Sequence, residues 1–199
     1  MKTIITIFLT GLFALVSLSA APAIGEKAPA FTLKDYHGET HSLSDFEGKF
    51  VVLEWLNHDC PFVVKFYQGG HMQDLQKKYT EKDVVWLVIN SSAPGKQGHL
   101  TPDAAKKISA EKKAQHTALL LDHDGKVGRA YDARVTPHMY VINPEGKLIY
   151  NGAIDSIRSA RAADIPRAEN YVVAALDAAM NGGEVATPVS RPYGCSVKY

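Results

Sequence analysis

One segment constrains the fold of this chain more than any other: a short apolar run that passes directly into a turn ending in Cys-Pro. Phe50 to Leu56 (FVVLEWL) is short, apolar and β-branched, which indicates a buried strand. Asn57 to Pro61 follows at once, and proline has the backbone angle favoured at the first position of a helix. The segment therefore predicts a strand-turn-helix unit with Cys60 at the start of the helix.

Short apolar runs and helical patterns alternate along the rest of the chain. The strands predicted from these runs are Phe31 to Leu33, Asp83 to Asn90, Thr117 to Leu121, and a hairpin of His138 to Ile142 with Lys147 to Ile154. The predicted helices are Phe62 to Tyr79 with a break at Gly69-Gly70, about Pro102 to Gln115 after a Thr101 N-cap, Gly125 to Tyr131, and Arg167 to Met180. This order predicts an α/β fold with a central mixed sheet flanked by helices.

Length and charge exclude several classes of protein. The chain has 199 residues, enough for one domain with a hydrophobic core but not for a multi-domain machine. Without its first 23 residues, whose only charged side chain is Lys2, it has 21 basic and 21 acidic side chains. A chain without net charge has no general attraction for nucleic acid or anionic membranes.

The N-terminus has the pattern of a targeting segment. Met1-Lys2 is a short basic start, Ile4 to Leu18 is almost wholly apolar, and small residues follow up to Ala23. This stretch of 15 residues is shorter than the roughly 20 apolar residues that a spanning helix needs, which argues against the alternative of a retained membrane anchor. We therefore expect a signal peptide at 1–23, cleaved after Ala20 or Ala23, and export to a periplasm without stable membrane insertion. The predicted mature chain has a domain at 24–181 and a tail at 182–199.

Cys60 is the first candidate for chemistry. At a helix N-terminus, unpaired backbone N–H groups and the positive end of the helix dipole favour a thiolate. His58 would add to this effect if it were protonated, whereas Asp59 would oppose it. The alternative is an inert, buried structural cysteine.

The Thr136-Pro137 pair is the second candidate. It lies just before the predicted hairpin, where a cis proline can turn the chain and present backbone groups to a neighbouring thiol. The alternative is an ordinary trans proline before a strand. Together with Cys60, about 75 residues earlier, the pair becomes a specific signal.

These segments resemble the thioredoxin superfamily, and within it the redoxin branch of peroxiredoxin-like exported bacterial proteins of the alkyl hydroperoxide reductase and thiol-specific antioxidant type. The resemblance covers residues 25–199. It rests on GEKAPAFTLKD (25–35), FVVLEWLNHDCPF (50–62), VTPHMYVINPEGKLIYNGAID (135–155) and PYGCSVKY (192–199). It implies a thioredoxin-like fold and a thiol oxidoreductase that needs no cofactor. Cys60 would attack a peroxide or a protein thiol/disulfide substrate, and an external thiol would reduce it again.

The chain departs from the typical peroxiredoxin pattern at three positions. The Thr and Pro that precede the attacking Cys by three and seven residues in that family are Asn57 and Leu53 here, and the Arg before the hairpin is replaced by Pro137. In the place of that Thr, Asn57 is expected to hydrogen-bond the thiolate or the substrate oxygen. Pro61, Thr136 and Pro137 would position the substrate.

Cys195 is the other cysteine of the chain. The 14-residue tail that carries it can span roughly 45 Å, so that contact with Cys60 is permitted but not required. By resemblance to two-cysteine peroxiredoxins, Cys195 would be a resolving thiol. The alternatives are a structural disulfide with Cys60 or an unpaired thiol, and the first of these would fit a non-catalytic binding module for copper or a protein partner.

The sequence also allows expectations about a metal site, a charged residue in the first buried strand and one long loop. One thiolate with His58 and His138 is too small a ligand set, so no metal site is predicted. Glu54 is expected on the surface, although an inward orientation would make it a proton relay. The loop from Ser91 to Leu100 either covers the site or is a solvated spacer.

Overall fold

The structure is a computed structural model that describes residues 21–199. Most of the expected signal peptide at 1–23 lies outside the described residues. Of the helices in the part that is described, none combines the length and the apolar character needed to cross a membrane.

A mixed β-sheet forms the centre of the molecule. Its strands are β1 (Thr32–Asp35), β2 (Thr40–Ser42), β3 (Val51–Trp55), β4 (Val85–Asn90), β5 (Ala118–Leu121), β7 (His138–Ile142) and β8 (Leu148–Gly152), in the order β2-β1-β5-β4-β3-β7-β8. β3, β4 and β5 are parallel to one another, whereas β7 and β8 form an antiparallel hairpin beside β3. A second, two-stranded sheet pairs β6 (Val135–Thr136) with β9 (Cys195–Ser196).

The helices follow the strands as the sequence predicts. They are α1 (Pro61–Tyr67), α2 (His71–Thr80), α3 (Pro102–Glu111), α4 (Lys126–Ala130) and α5 (Tyr171–Met180). The expected break between α1 and α2 is confirmed, since Gly70 adopts a left-handed conformation with φ 80°. The predicted cap of α3 is also confirmed, because the Thr101 hydroxyl accepts a hydrogen bond from the Ala104 amide at 3.3 Å.

The hydrophobic core lies on both faces of the central sheet. Because successive side chains of a strand point to opposite faces, β3 contributes to both sides. Val51, Leu53 and Trp55 pack with Tyr131 and Tyr140 on one face. Val52 packs on the other face, the one covered by α1, α2 and α5. β3 is thus buried on both sides, as its apolar sequence predicts.

Two helix boundaries and the orientation of one side chain differ from the sequence-based predictions. α5 begins at Tyr171 rather than Arg167, because the Asn170 side chain caps it by accepting from the Val173 amide and residues 162–167 form a separate 3-10 helix. α3 ends at Glu111, four residues before its expected end. Glu54, expected on the surface, has no solvent exposure.

Candidate active site

Cys60 begins helix α1. Its backbone is extended, with φ −80° and ψ 122°, and Pro61 takes the first helical position. The Cys60 carbonyl accepts the first helical hydrogen bonds from the Val63 and Val64 amides, both at 2.9 Å. Its own amide donates to the Asn57 carbonyl at 3.0 Å and closes the turn after β3. The strand-turn-helix unit predicted from the sequence is confirmed.

The sulfur of Cys60 lies where three segments of the chain meet. The thiol donates to the Thr136 carbonyl at 3.1 Å, and Sγ accepts from the Cys195 amide at 3.3 Å. The Thr136-Pro137 peptide bond is cis, as the sequence suggested. In the short β6–β9 ladder, Thr136 pairs directly with Cys195. Both cysteines are free thiols. The structure thus brings the predicted residues Cys60, Thr136, Pro137 and Cys195 together without a disulfide bond.

The two thiols differ in acidity. Burial raises the pKa of Cys60, but hydrogen bonds from the Cys195 thiol and amide and from the Thr136 side chain outweigh it, so that the pKa lies below its usual value. Burial, the hydrogen bond to Cys60 and the negative charge of that sulfur raise the pKa of Cys195 to about 11. Cys60 is therefore the thiol that ionises, and Cys195 remains protonated near neutral pH and donates to it.

Asn57 shapes the turn rather than touching the sulfur. Its side-chain oxygen accepts from the Asp59 amide at 2.9 Å, and its side-chain amide donates to the Gln97 carbonyl at 3.5 Å. A β-carbon on Gly98 would lie 2.2 Å from the Asn57 side chain, so the loop needs glycine at this point. The loop from Ser91 to Leu100 thus borders the active-site turn and is not a free spacer.

His58 is packed beside the turn and is not charged near neutral pH. Its ring meets that of Tyr67 edge-on, at 5.0 Å between centroids. Burial, followed by the nearby Lys112 and His116, lowers the pKa of His58 to about 4. The condition under which His58 would support the Cys60 thiolate, a protonated ring, is therefore not met near pH 7.

Typical peroxiredoxins have an Arg just before the hairpin, and the arginine nearest to that position here, Arg134, pairs with an aspartate. The Arg134 guanidinium pairs with Asp132, and its side chain is 72% exposed. His138 is buried, with Nε2 2.9 Å from the Asn151 side-chain oxygen. Within residues 21–199, the cluster of three potential metal ligands consists of Asp35, Glu39 and His41, and does not include Cys60.

A buried carboxylate lies behind the site on β3. Glu54 accepts hydrogen bonds from the Tyr67 hydroxyl at 2.8 Å, Trp86 Nε1 at 2.8 Å and Gln76 at 3.2 Å. Burial raises the pKa of Glu54 above its usual value, although these three donors oppose the shift. The donors that hold Glu54 inward come from α1, α2 and β4, which strand alternation alone does not reveal.

Sequence reasoning also missed a buried ion pair next to the site. Lys65 of α1 lies 2.8 Å from the Asp155 carboxylate, and both side chains are inaccessible to solvent or nearly so. Tyr193 of the tail joins the pair. A signal was present, because Lys65 lies at helical spacing between Phe62 and Phe66, on the apolar face of the predicted helix. A lysine there requires a buried partner.

Comparisons with known proteins agree with this arrangement. A model of the AhpC/TSA family matches residues 24–151. The thiol-disulfide oxidoreductase ResA of Geobacillus kaustophilus is 29% identical over 132 residues, which are 64% of this chain and 68% of that protein. Peroxiredoxin Bcp of Bacillus subtilis is 28% identical over 139 residues, which are 63% of this chain and 82% of that protein.

Solved structures extend the likeness to most of the chain. The crystal structure of an uncharacterized conserved protein from Geobacillus kaustophilus matches with a TM-score of 0.75 and 28% identity, covering 89% of this chain and 92% of that one. Solved thiol:disulfide interchange and thiol-disulfide oxidoreductase domains share the fold. The thioredoxin-like fold expected from the sequence is confirmed.

Proposed function

Because this chain belongs to the AhpC/TSA family, in the redoxin branch of the thioredoxin superfamily, we propose that it is an exported thiol-dependent oxidoreductase of the peroxiredoxin-like type. The family itself places the chain among the redoxins and thiol oxidoreductases. What we propose beyond the family is the peroxide substrate, the role of Cys195 and the export.

The observation that carries the proposal is the unequal pair of thiols at the start of α1. Cys60 has a lowered pKa and Cys195 a raised one, and the Cys195 amide lies 3.3 Å from the Cys60 sulfur. A nucleophile must be ionised, whereas a resolving thiol acts after the nucleophile has been oxidised. The division of acidity supports Cys60 as the attacking thiol and Cys195 as the resolving one.

The chemistry balances with these two thiols and a peroxide. The Cys60 thiolate attacks one peroxide oxygen and the O–O bond breaks. Cys60 becomes a sulfenic acid, and the other oxygen leaves as an alcohol or as water. The Cys195 thiol then forms a disulfide with that sulfur and releases water. An external dithiol reduces the disulfide and is itself oxidised.

The burial of Cys60 favours a small substrate. Cys60 has no solvent exposure, and the tail lies against its sulfur, with the Cys195 amide at 3.3 Å. Hydrogen peroxide needs only a small opening, whereas a protein disulfide would require a larger displacement of the tail. The relatives include a protein named as a peroxiredoxin and one named as a thiol-disulfide oxidoreductase, so the test includes both substrates.

The test follows the two thiols by intact mass. The mature protein is reduced, exposed to stoichiometric hydrogen peroxide and trapped with a thiol reagent, in parallel with Cys195→Ala and Cys60→Ser. We expect wild type to lose two hydrogens, Cys195→Ala to accumulate a sulfenic acid at Cys60, and Cys60→Ser not to react. If the Cys60 thiol of wild type is unchanged after minutes with peroxide but exchanges with a model disulfide, the peroxide proposal is wrong.

Export is tested on the full-length chain. Expression with an intact secretion pathway should give an extracytoplasmic protein whose N-terminus is Ala21 or Ile24, as cleavage after Ala20 or Ala23 requires. Recovery of a membrane-bound chain that starts at Met1 would contradict it.

A further inference from the structure

A buried polar cluster joins helix α1 to the C-terminal tail. Lys65 Nζ donates to Asp155 Oδ2 at 2.8 Å, to the Ile157 carbonyl at 3.3 Å and to the Tyr193 hydroxyl at 3.3 Å. The Tyr193 hydroxyl in turn donates to Asp155 Oδ1. The Lys65 and Asp155 side chains are 0% and 2% exposed.

The cluster is satisfied only when the tail is in place. The three N–H donors of Lys65 each have an acceptor, one of which is the Tyr193 hydroxyl. Without Tyr193, the ammonium group and one carboxylate oxygen would each lose a partner inside the protein. Since an incompletely paired buried charge is costly, the ion pair of Lys65 and Asp155 favours the docked tail.

The same segment brings the second thiol to the site. Tyr193 lies two residues before Cys195, and its ring meets that of Phe62 edge-on at 5.7 Å between centroids. Gly194 lies between them with φ 143°, and a β-carbon there would come within 2.0 Å of the Thr136 carbonyl oxygen. The sequence Tyr-Gly-Cys thus combines an anchor, a close approach to β6 and a thiol.

We propose that Lys65, Asp155 and Tyr193 form a latch that holds the tail so that Cys195 reacts with Cys60 within the same chain. The proposal deepens the function given above and rests on it. A thiol on a free tail has a local concentration set by the length of the tail, whereas a docked tail raises it. The three latch residues are positioning residues, because they act through Cys195.

The latch is tested by the thiol-disulfide equilibrium of Cys60 and Cys195 in dithiothreitol buffers, without peroxide. Tyr193→Phe removes the hydroxyl and retains the ring that meets Phe62. We expect this variant to form the intrachain disulfide with an equilibrium constant about tenfold lower, a rise of about 30 mV in reduction potential for this two-electron couple.

Two further variants separate the latch from general effects on folding. Tyr79→Phe removes another tyrosine hydroxyl that donates to an aspartate, Asp177, at 2.8 Å, but on α2 and α5. It should leave the equilibrium constant unchanged. Asp155→Asn removes the negative charge of the latch and keeps the shape of the side chain, and should shift the equilibrium in the same direction as Tyr193→Phe.

Each result bears on one proposal. Equal equilibrium constants for wild type and Tyr193→Phe would overturn the latch, as would a wild-type protein that forms no intrachain disulfide in the buffers. If the constants differ as expected and peroxide still leaves Cys60 unoxidised, the latch stands and the peroxide proposal fails.

Discussion

At the residue scale, one hydrogen bond links the acidities of the two thiols. The Cys195 thiol donates to the Cys60 sulfur, which lowers the pKa of Cys60 and contributes to raising that of Cys195. His58 takes no part as a cation, because its pKa is about 4. The ionisation of Cys60 therefore depends on the tail more than on its neighbours in sequence.

The first prediction is a pH dependence. Cys195→Ala removes the thiol donor and should raise the apparent pKa of Cys60, because the thiolate loses a hydrogen bond that favours the charged form. The thiolate will then form only at higher pH. Ultraviolet titration of thiolate absorbance measures it, with Cys60→Ser as the background. Cys195→Ser retains a hydroxyl donor, so its midpoint for Cys60 ionisation should lie between those of wild type and Cys195→Ala. An unchanged or lower midpoint in Cys195→Ala would rule out this role of Cys195.

Glu54 gives a second prediction at this scale. Tyr67 donates to one oxygen of the Glu54 carboxylate, and Trp86 and Gln76 donate to the other. An amide in the same place has a single acceptor oxygen, so at least one of these donors loses its acceptor in either orientation of the amide. Glu54→Gln should therefore lower the free energy of unfolding by about 1–3 kcal/mol. Urea denaturation measures this change. Glu184→Gln, at an exposed position, should change it by less than about 0.5 kcal/mol, and equal effects of the two variants would contradict the buried role of Glu54.

At the scale of elements, the sequence predicts those strands and helices that have a clear hydrophobic pattern or a recognisable helix cap. β3, β4 and the hairpin of β7 and β8 are short apolar runs, and their partners follow from the expected fold. The start of α5 was placed too early because Arg167, Ala168 and Glu169 are good helix formers that directly follow Pro166, whereas only the Asn170 cap marks the boundary. β9 has two residues and no periodicity, so its pairing with β6 depends on contacts that only the folded chain provides.

The β6–β9 pair gives an element-scale prediction. Gly194→Ala places a methyl group against the Thr136 carbonyl and should separate the two strands. We expect disulfide formation after oxidation of Cys60 to slow by about 10- to 100-fold, because reacting atoms displaced by about 1 Å lose that much rate. Rapid-quench mass spectrometry measures the step.

Gly182→Ala is the matched control for this prediction. Gly182 also has a positive φ, 74°, but a β-carbon there would have no neighbour within 4 Å. It therefore carries the backbone cost of alanine without the clash. Equal rates in the two variants would show that the approach of Gly194 to Thr136 does not control the position of Cys195.

At the scale of the whole molecule, the tail runs across the domain and is fixed at several points. The Ser190 amide donates to the Asn151 carbonyl near the end of β8 at 3.1 Å, and the Lys198 carbonyl accepts from the Ala93 amide at 2.8 Å. The Tyr199 hydroxyl donates to the Ala133 carbonyl at 2.7 Å. The sequence permitted the tail to reach Cys60 but did not predict these contacts, because chain length gives a limit on reach and no preferred path.

This fixed path leads to a prediction for the oxidised protein. A bond between Cys60 and Cys195 closes a loop across 135 positions of sequence, which in the chain-entropy model stabilises the fold by about 5 kcal/mol. Because the tail is already docked in the reduced protein, little ordering of the native state should offset this gain. Urea unfolding should therefore show a higher midpoint for oxidised than for reduced wild type, whereas Cys195→Ala should unfold alike under both conditions. Coincident midpoints for wild type would mean that the bond strains the native site, and would argue against a docked Cys195 that is ready to react.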